Sequence, residues 1–262
     1  PAHCYTPWFA VFGSMSGFDS LEECFDEYTK YIYAVESGLS SDPAMSWRNS
    51  RLDHIAIISN SDSHSLHRIG REANVFDAGL SYDAIIAAIK SHDPQKFLFT
   101  VEFFPEEGKY HYDGHRLCGF SCGPEETRRL NKLCPKCGKP MTVGVMYRVE
   151  ELADRPAGVK PEGAIPFKSM VPLDEIIAEA FGMGASAKKV KEEYKNIVEK
   201  IGSEFAVLVE ASKSDLERAT TPEVAEGIQR VREGRLRIEP GFDGEYGKVK
   251  IFDEGEHHQF SP

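Results

Sequence analysis

The chain has 262 residues, 41% of them hydrophobic, and a formal net charge of −11 with an isoelectric point near 5.4. That length can bury real cores and suits two or three compact units better than one, while the acidic balance excludes a protein that coats nucleic acid by general phosphate neutralisation. No stretch of about eighteen apolar residues and no basic-then-apolar leader supports a membrane span or secretion, so the cytoplasm is the expected address.

In chain order, Pro1-Ala2-His3 reads as the end of a strand whose body is missing, and the sequence is expected to begin inside a motif. Apolar and aromatic residues three or four apart after Ser20 predict a helix over 21–34, followed by a strand at 33–35, a Gly-Ser-Asp-Pro loop and a strand at 55–58. Helix 82–90, capped by Ser81, and strand 97–103 complete an α/β layer or barrel in residues 1–108. Residues 109–150 carry short strand-like runs, of which 141–149 is the clearest, and are too few to bury a core alone. After a Pro- and Gly-rich loop, residues 151–262 turn mainly helical, with helices at 173–181, 187–201 and 221–232. Between the last two lies a possible strand at 203–209. A hairpin at 236–251 and a polar, frayed tail at 253–262 end the chain.

Asp62 and His64 stand two apart at the carboxyl end of the run Ile55 to Ile58, so both point to one face and can grip one metal ion. Taken singly, such a pair is equally a capping or core polar pair, His3 a hydrogen-bonded core histidine and Glu36 a solvated loop carboxylate. Together, His3, Glu36, Asp62 and His64 each follow an apolar run directly, as ligands gathered at one end of a barrel do. Nitrogen and carboxylate donors suit zinc or manganese and phosphoester hydrolysis.

Cys118, Cys122, Cys134 and Cys137 cluster while Cys4 and Cys24 stand apart as packing residues. The Cys-Pro-x-Cys-Gly half has the form of a zinc-ribbon knuckle, and the four thiols predict a structural Zn2+ site. Lys109, Tyr110, His111 and Arg116 interleave cations and rings, a composition able to stack on an unpaired base and touch phosphates; Trp8 and Arg48 invite the same reading.

Pro1-Ala2-His3, Glu36 and Asp62-Ser63-His64 resemble the later ligand motifs of the polymerase and histidinol phosphatase (PHP) superfamily. Residues 7–9, 38–43, 59–65, 109–116 and 148–156 narrow the resemblance to endonuclease Q, over nearly the whole chain. The resemblance implies the carboxyl-terminal part of a distorted (β/α)7 barrel, a zinc-binding unit and a mainly helical domain. It also implies an enzyme that nicks DNA 5′ to deoxyuridine, deoxyinosine or abasic sites with Zn2+, Mn2+ or Mg2+. Asp62, His64 and Glu36 would be catalytic and, with His3, metal ligands. The family's first ligands would precede Pro1, so the chain alone is expected to be weakly active or inactive. A cysteine at 122 is not fixed in the family, which leaves His115 as an alternative fourth ligand. Damaged DNA is the expected partner, a sliding clamp a possible one. Competing readings are a small-molecule phosphoesterase and a non-catalytic zinc-ribbon adaptor for nucleic acid or a helicase.

Overall fold

Ser20 accepts the Glu23 amide and starts α1 (Leu21–Phe25), which ends after one turn because Asp26 adopts a left-handed φ of 46°. Asp26–Tyr31 continue as a 3-10 turn with no buried residue. The long helix expected here fails for want of a surface: Tyr28 and Tyr31 are 62% and 61% exposed. The chain is seen here as a computed structural model that describes residues 1–253, in two units: 1–168 with 239–248, and 169–238 with the segment from 249.

In the first unit, β1 (Ala34–Glu36) and β2 (Ala56–Ile58) pair in parallel with Glu36 opposite Ile58, so both carboxyl ends reach one edge. Between them lies the short α2 (Pro43–Ser46), with Asp42 accepting the Met45 amide and proline at its first turn. β3 (Ala73–Phe76) and β4 (Phe97–Glu102) are antiparallel and are joined through α3 (Tyr82–Ser91), capped by Ser81 as expected. The hairpin β5 (Asp113–His115) and β6 (Phe120–Cys122) is followed by α4 (Pro124–Arg129) and α5 (Val145–Leu152). β7 (Phe167–Ser169) joins the β3–β4 sheet beside β4. Tyr5, Phe12, Val35, Met45, Leu52, Ile57, Val145 and Val149 pack into the main core, each fully buried side chain contributing about 1.5–3 kcal/mol.

Residues 141–149 are not a strand. Gly144 packs so closely that a Cβ would lie 2.5 Å from the Tyr112 carbonyl, and its N–H donates to Asp113 Oδ1 at 2.6 Å. The next two amides donate to the carbonyls of Tyr110 and His111. Those bonds satisfy a helix start, and Val145, Val149 and Leu152 then face the core at helical spacing.

The second unit holds α6 (Leu173–Ala180), α7 (Lys188–Ile201), α8 (Lys213–Ala219) and α9 (Pro222–Glu233) around Leu173, Ile176, Ile177, Val190, Ile197, Leu216, Val224 and Ile228. Gly202 closes α7 at φ 121°, a conformation open to glycine. The possible strand at 203–209 is instead a π-helical turn over Ala206–Glu210. Ser203 Oγ accepts the Ala206 amide at its start, and the Arg232 guanidinium donates to the carbonyls of Val207 and Leu208 within it and of Ala211 just beyond it. β8 (Arg237–Glu239) and β9 (Lys248–Lys250) form the expected hairpin ribbon. The tail expected to fray lies, beyond residue 253, outside the described residues. No helix among the described residues is long and apolar enough to cross a membrane.

Candidate functional site

Two groups of donors arise from different architecture. The first lies where β1 and β2 end. Glu36 closes β1, and the amino-terminal segment joins it there: the Cys4 N–H donates to the Glu36 carbonyl at 3.1 Å and the His3 N–H to Glu36 Oε2 at 2.8 Å. Asn60, just after β2, donates its side-chain amide to Glu36 Oε1 at 2.8 Å. Gly38, at φ 64°, lets the chain pass His3, where a Cβ would come within 2.7 Å of the His3 Cβ. The His3 ring is half-buried, its Nδ1 3.2 Å from Thr6 Oγ1.

Asp62 and His64 are both exposed on the loop that leaves this edge; Asp62 has a φ of 44° and its carbonyl lies 2.8 Å from His64 Nδ1. His3 and Glu36 are thus adjacent. Among the described residues, the four expected ligands do not close into a group of three or more with donor atoms in mutual metal-binding range.

Beneath the edge lie two carboxylates that sequence reasoning missed. Glu102 ends β4 fully buried, accepting from Ser37 Oγ at 2.8 Å and Thr100 Oγ1 at 2.5 Å. Burial lifts its carboxyl to about 8, and the charges of Glu72 and Asp42 push the same way. Glu72, just before β3, is lifted by burial to about 7; its Oε1 accepts the Phe103 amide, while Oε2 has no hydrogen-bond partner among the described residues. A signal was present: Thr100 and Glu102 interrupt an otherwise apolar run, and a carboxylate inside a two-sided buried strand needs a polar reason.

The second group closes around the tip of the β5–β6 hairpin. One donor atom from each of His115, Cys118, Cys134 and Cys137 lies within 4.8 Å of every other, a set that can hold a metal ion. Cys137 Sγ is 3.4 Å from His115 Nδ1. Gly138, at φ 72°, turns the knuckle so that its amide donates to the Cys134 carbonyl at 2.7 Å. Lys136 Nζ ties the two halves together by donating to the Cys118 carbonyl at 2.8 Å. Burial opposes ionisation of Cys134, but the amides of Lys136 and Cys137 and the His115 ring outweigh it and draw the thiol down to about 7.

Cys122, expected as the fourth ligand, stands outside this group, and His115 takes the place. The ladder explains the exchange. Cys122 opposes Asp113, two residues down the ribbon from His115, a displacement of about 7 Å at strand rise. Its thiol lies 3.2 Å from Thr127 Oγ1 instead.

Of the residues expected to touch DNA, Trp8 is 41% exposed and meets Tyr110 edge-on at 5.3 Å. Lys109 is exposed, with Nζ 5.6 Å and 5.8 Å from the Tyr110 and Tyr246 ring centres. Arg116 is exposed, 3.8 Å from a Glu245 oxygen. Arg48 and His111 need correcting. The Arg48 side chain is 13% exposed and pairs with Glu150 at 2.5 Å while donating to the Arg155 carbonyl, so it clamps the fold. His111 is buried and stacked on Tyr112, and burial lowers its ring to about 4, keeping it neutral.

Residues 172–235 match the family model described as the MJ0043 C-terminal domain. The uncharacterized protein MJ0043 of Methanocaldococcus jannaschii is 34% identical over 95% of this chain and 31% of its own length. The uncharacterized protein YqxK of Bacillus subtilis is 33% identical over 95% of this chain and 60% of its own. The crystal structure of the lesion-specific endonuclease PfuEndoQ from Pyrococcus furiosus superposes with a TM-score of 0.87 at 33% identity, over 97% of this chain and 62% of that one. An endonuclease Q complex with a 27-mer duplex bearing an abasic lesion at the active site gives 0.82, also at 33% identity, over 97% of this chain and 63% of that one. The chain therefore spans less than two thirds of each of these relatives.

Proposed function

We propose that this chain, which belongs to the endonuclease Q family, forms part of a DNA repair endonuclease that nicks a strand 5′ to deoxyuridine, deoxyinosine or an abasic site. The observation that carries this reading is the 33% identity and TM-score of 0.87 with a lesion-specific endonuclease across 97% of the chain. Because the chain spans 62% of that relative, the activity is assigned to the whole protein.

The strand layer is read as the carboxyl-terminal part of a PHP barrel, residues 109–150 as a structural zinc unit and residues 151–262 as the helical domain. His3, Glu36, Asp62 and His64 are the residues assigned to hold catalytic Zn2+, Mn2+ or Mg2+. A divalent cation held by these residues would supply Lewis-acid stabilisation of the charge that develops on a phosphodiester. The protein's own part is positioning: the His3 amide and Asn60 fix the Glu36 carboxylate, and Ser37, bonded to Glu102, anchors the backbone behind it. Trp8, Lys109, Tyr110 and Arg116 form the DNA-facing surface. His115, Cys118, Cys134 and Cys137 suit a structural zinc, whose tetrahedral ligands sit about 3.5–3.8 Å apart, so a small contraction of the group would close it.

The test is a labelled duplex with one deoxyuridine, incubated with manganese, magnesium or zinc and the chain, with and without any segment encoded upstream of Pro1. A cut immediately 5′ of the lesion that disappears in Asp62→Ala supports the reading. One bound zinc with no nicking under any metal would favour the adaptor instead.

A further inference from the structure

Phe9 is 95% exposed and carries a φ of 59°. Both states are unfavourable for a bulky apolar residue, and a strained conformer persists only where its surroundings over-determine it. Here they do. The loop is closed on itself by hydrogen bonds from the amides of Phe12, Met15 and Phe18 to the carbonyls of Cys4, Pro7 and Val11, at 2.8, 2.9 and 2.6 Å. Gly13 packs where a Cβ would lie 2.6 Å from the Thr6 carbonyl oxygen. Phe12 is fully buried against Tyr5 under the loop, and Arg148 of α5 donates to the Phe12 and Phe18 carbonyls at 2.9 Å each.

This rigid display adjoins the proposed cleavage edge. Thr6 Oγ1 lies 3.2 Å from both His3 Nδ1 and the Trp8 carbonyl oxygen, linking a proposed ligand to the residue before Phe9. Trp8, Tyr110 and Lys109 flank it with rings and a cation.

We propose that Phe9 is a wedge that enters the base stack of duplex DNA and occupies the gap left when the damaged nucleotide turns out of the helix. The proposal rests on, and deepens, the endonuclease reading. Turning a nucleotide out breaks stacking on both of its neighbours. An aromatic ring inserted in its place restores one stacking surface, and a ring already fixed by its loop loses little freedom on insertion. Lys109 supplies a cation for a nearby phosphate. A single strand has no continuous stack to hold open, so the wedge matters on duplex substrates.

The test uses the full-length protein carrying this chain. Nicking is measured on duplex and single-stranded oligonucleotides with one deoxyuridine, beside 2-aminopurine fluorescence next to the lesion. Phe9→Ala is expected to lose about 10–100-fold in kcat/KM on the duplex, the equivalent of one stacked base, and no more than a few-fold on the single strand, with the 2-aminopurine signal of the duplex complex lost as well. Phe9→Leu should fall between. Phe9→Gly, whose backbone accepts the positive φ, should lose duplex nicking yet melt no lower than wild type, which separates the role from folding. Equal losses on both substrates, or none on the duplex, overturn the wedge alone. Wild-type protein that neither nicks nor raises 2-aminopurine fluorescence overturns the wedge and the endonuclease reading together.

Discussion

The Cys/His group and the strand-end edge differ in how their donors are brought together. Every member of the first comes from residues 115–137, placed by one hairpin tip and one knuckle, and its donor atoms lie within 4.8 Å of each other. The second draws on residue 3, residue 36, residues 60–64 and the buried Glu72 and Glu102, assembled by parallel pairing and by hydrogen bonds across long sequence separations. A local site closes from its own turn geometry, whereas a distributed one depends on the strand ladder and on hydrogen bonds between residues far apart in sequence.

Removing one strand-end carboxylate is the severest test of that contrast. In the whole protein to which nicking is assigned, Asp62→Ala should abolish it, on the order of 10³-fold or more, because the proposed cation site would lose a carboxylate and several kcal/mol of charge stabilisation; the melting temperature should barely move, since Asp62 is exposed. Cys134→Ser should behave in the opposite manner. The purified, dialysed protein should drop from one bound zinc to none by metal analysis, with a lower melting temperature, because metal binding at such a site is coupled to folding. A variant that keeps its zinc would break the assignment of the group.

How much of each region could be read in the sequence follows from the same distinction. The Cys-Pro-x-Cys-Gly spacing announces its knuckle because chemistry and geometry lie within five residues. The choice between Cys122 and His115 was not legible, because it depends on which ribbon positions lie near the tip, and that is fixed by the pairing of Asp113 with Cys122. The helices at 82–91, 173–180, 188–201 and 222–233 were legible from their periodicity. The helix at 145–152 was not, since its start is satisfied by the carbonyls of residues 110 and 111, distant in sequence. Arg48 looked like a phosphate contact because charge is visible in a sequence and its partner Glu150 is not visible as such.

Two predictions probe what supports the edge. Arg148→Ala removes a guanidinium, 11% exposed, that donates to the Phe12 and Phe18 carbonyls and pairs with Asp19 at 2.6 Å. Chemical denaturation should show a loss of about 2–4 kcal/mol, and lysine should not restore it, for want of the fork geometry. Glu102 is held protonated near neutrality, its carboxyl lifted from 4.5 to about 8. Its folded value lies above its unfolded one, so its contribution is complete below pH 4.5 and is lost as pH rises towards 8, by at most about 1.4 kcal/mol per pH unit. Glu102→Gln should flatten the fall of melting temperature over that window; an unchanged slope would mean the carboxyl titrates elsewhere.

A nearly silent substitution decides the ligand set. Cys122 contributes a thiol 3.2 Å from Thr127 Oγ1 and stands outside the group of four donors. Serine at 122 offers a hydroxyl of similar reach that keeps the contact, so stability should change by less than about 1 kcal/mol, and zinc content should stay at one per chain. His115→Ala, in contrast, removes the nitrogen donor that lies 3.4 Å from Cys137 Sγ and should weaken or abolish zinc retention. If the serine variant lost the metal and the alanine variant kept it, the thiol two residues down the ribbon would have to swing about 7 Å to the tip when metal binds, and the hairpin would be remodelled by its ion rather than built to receive it.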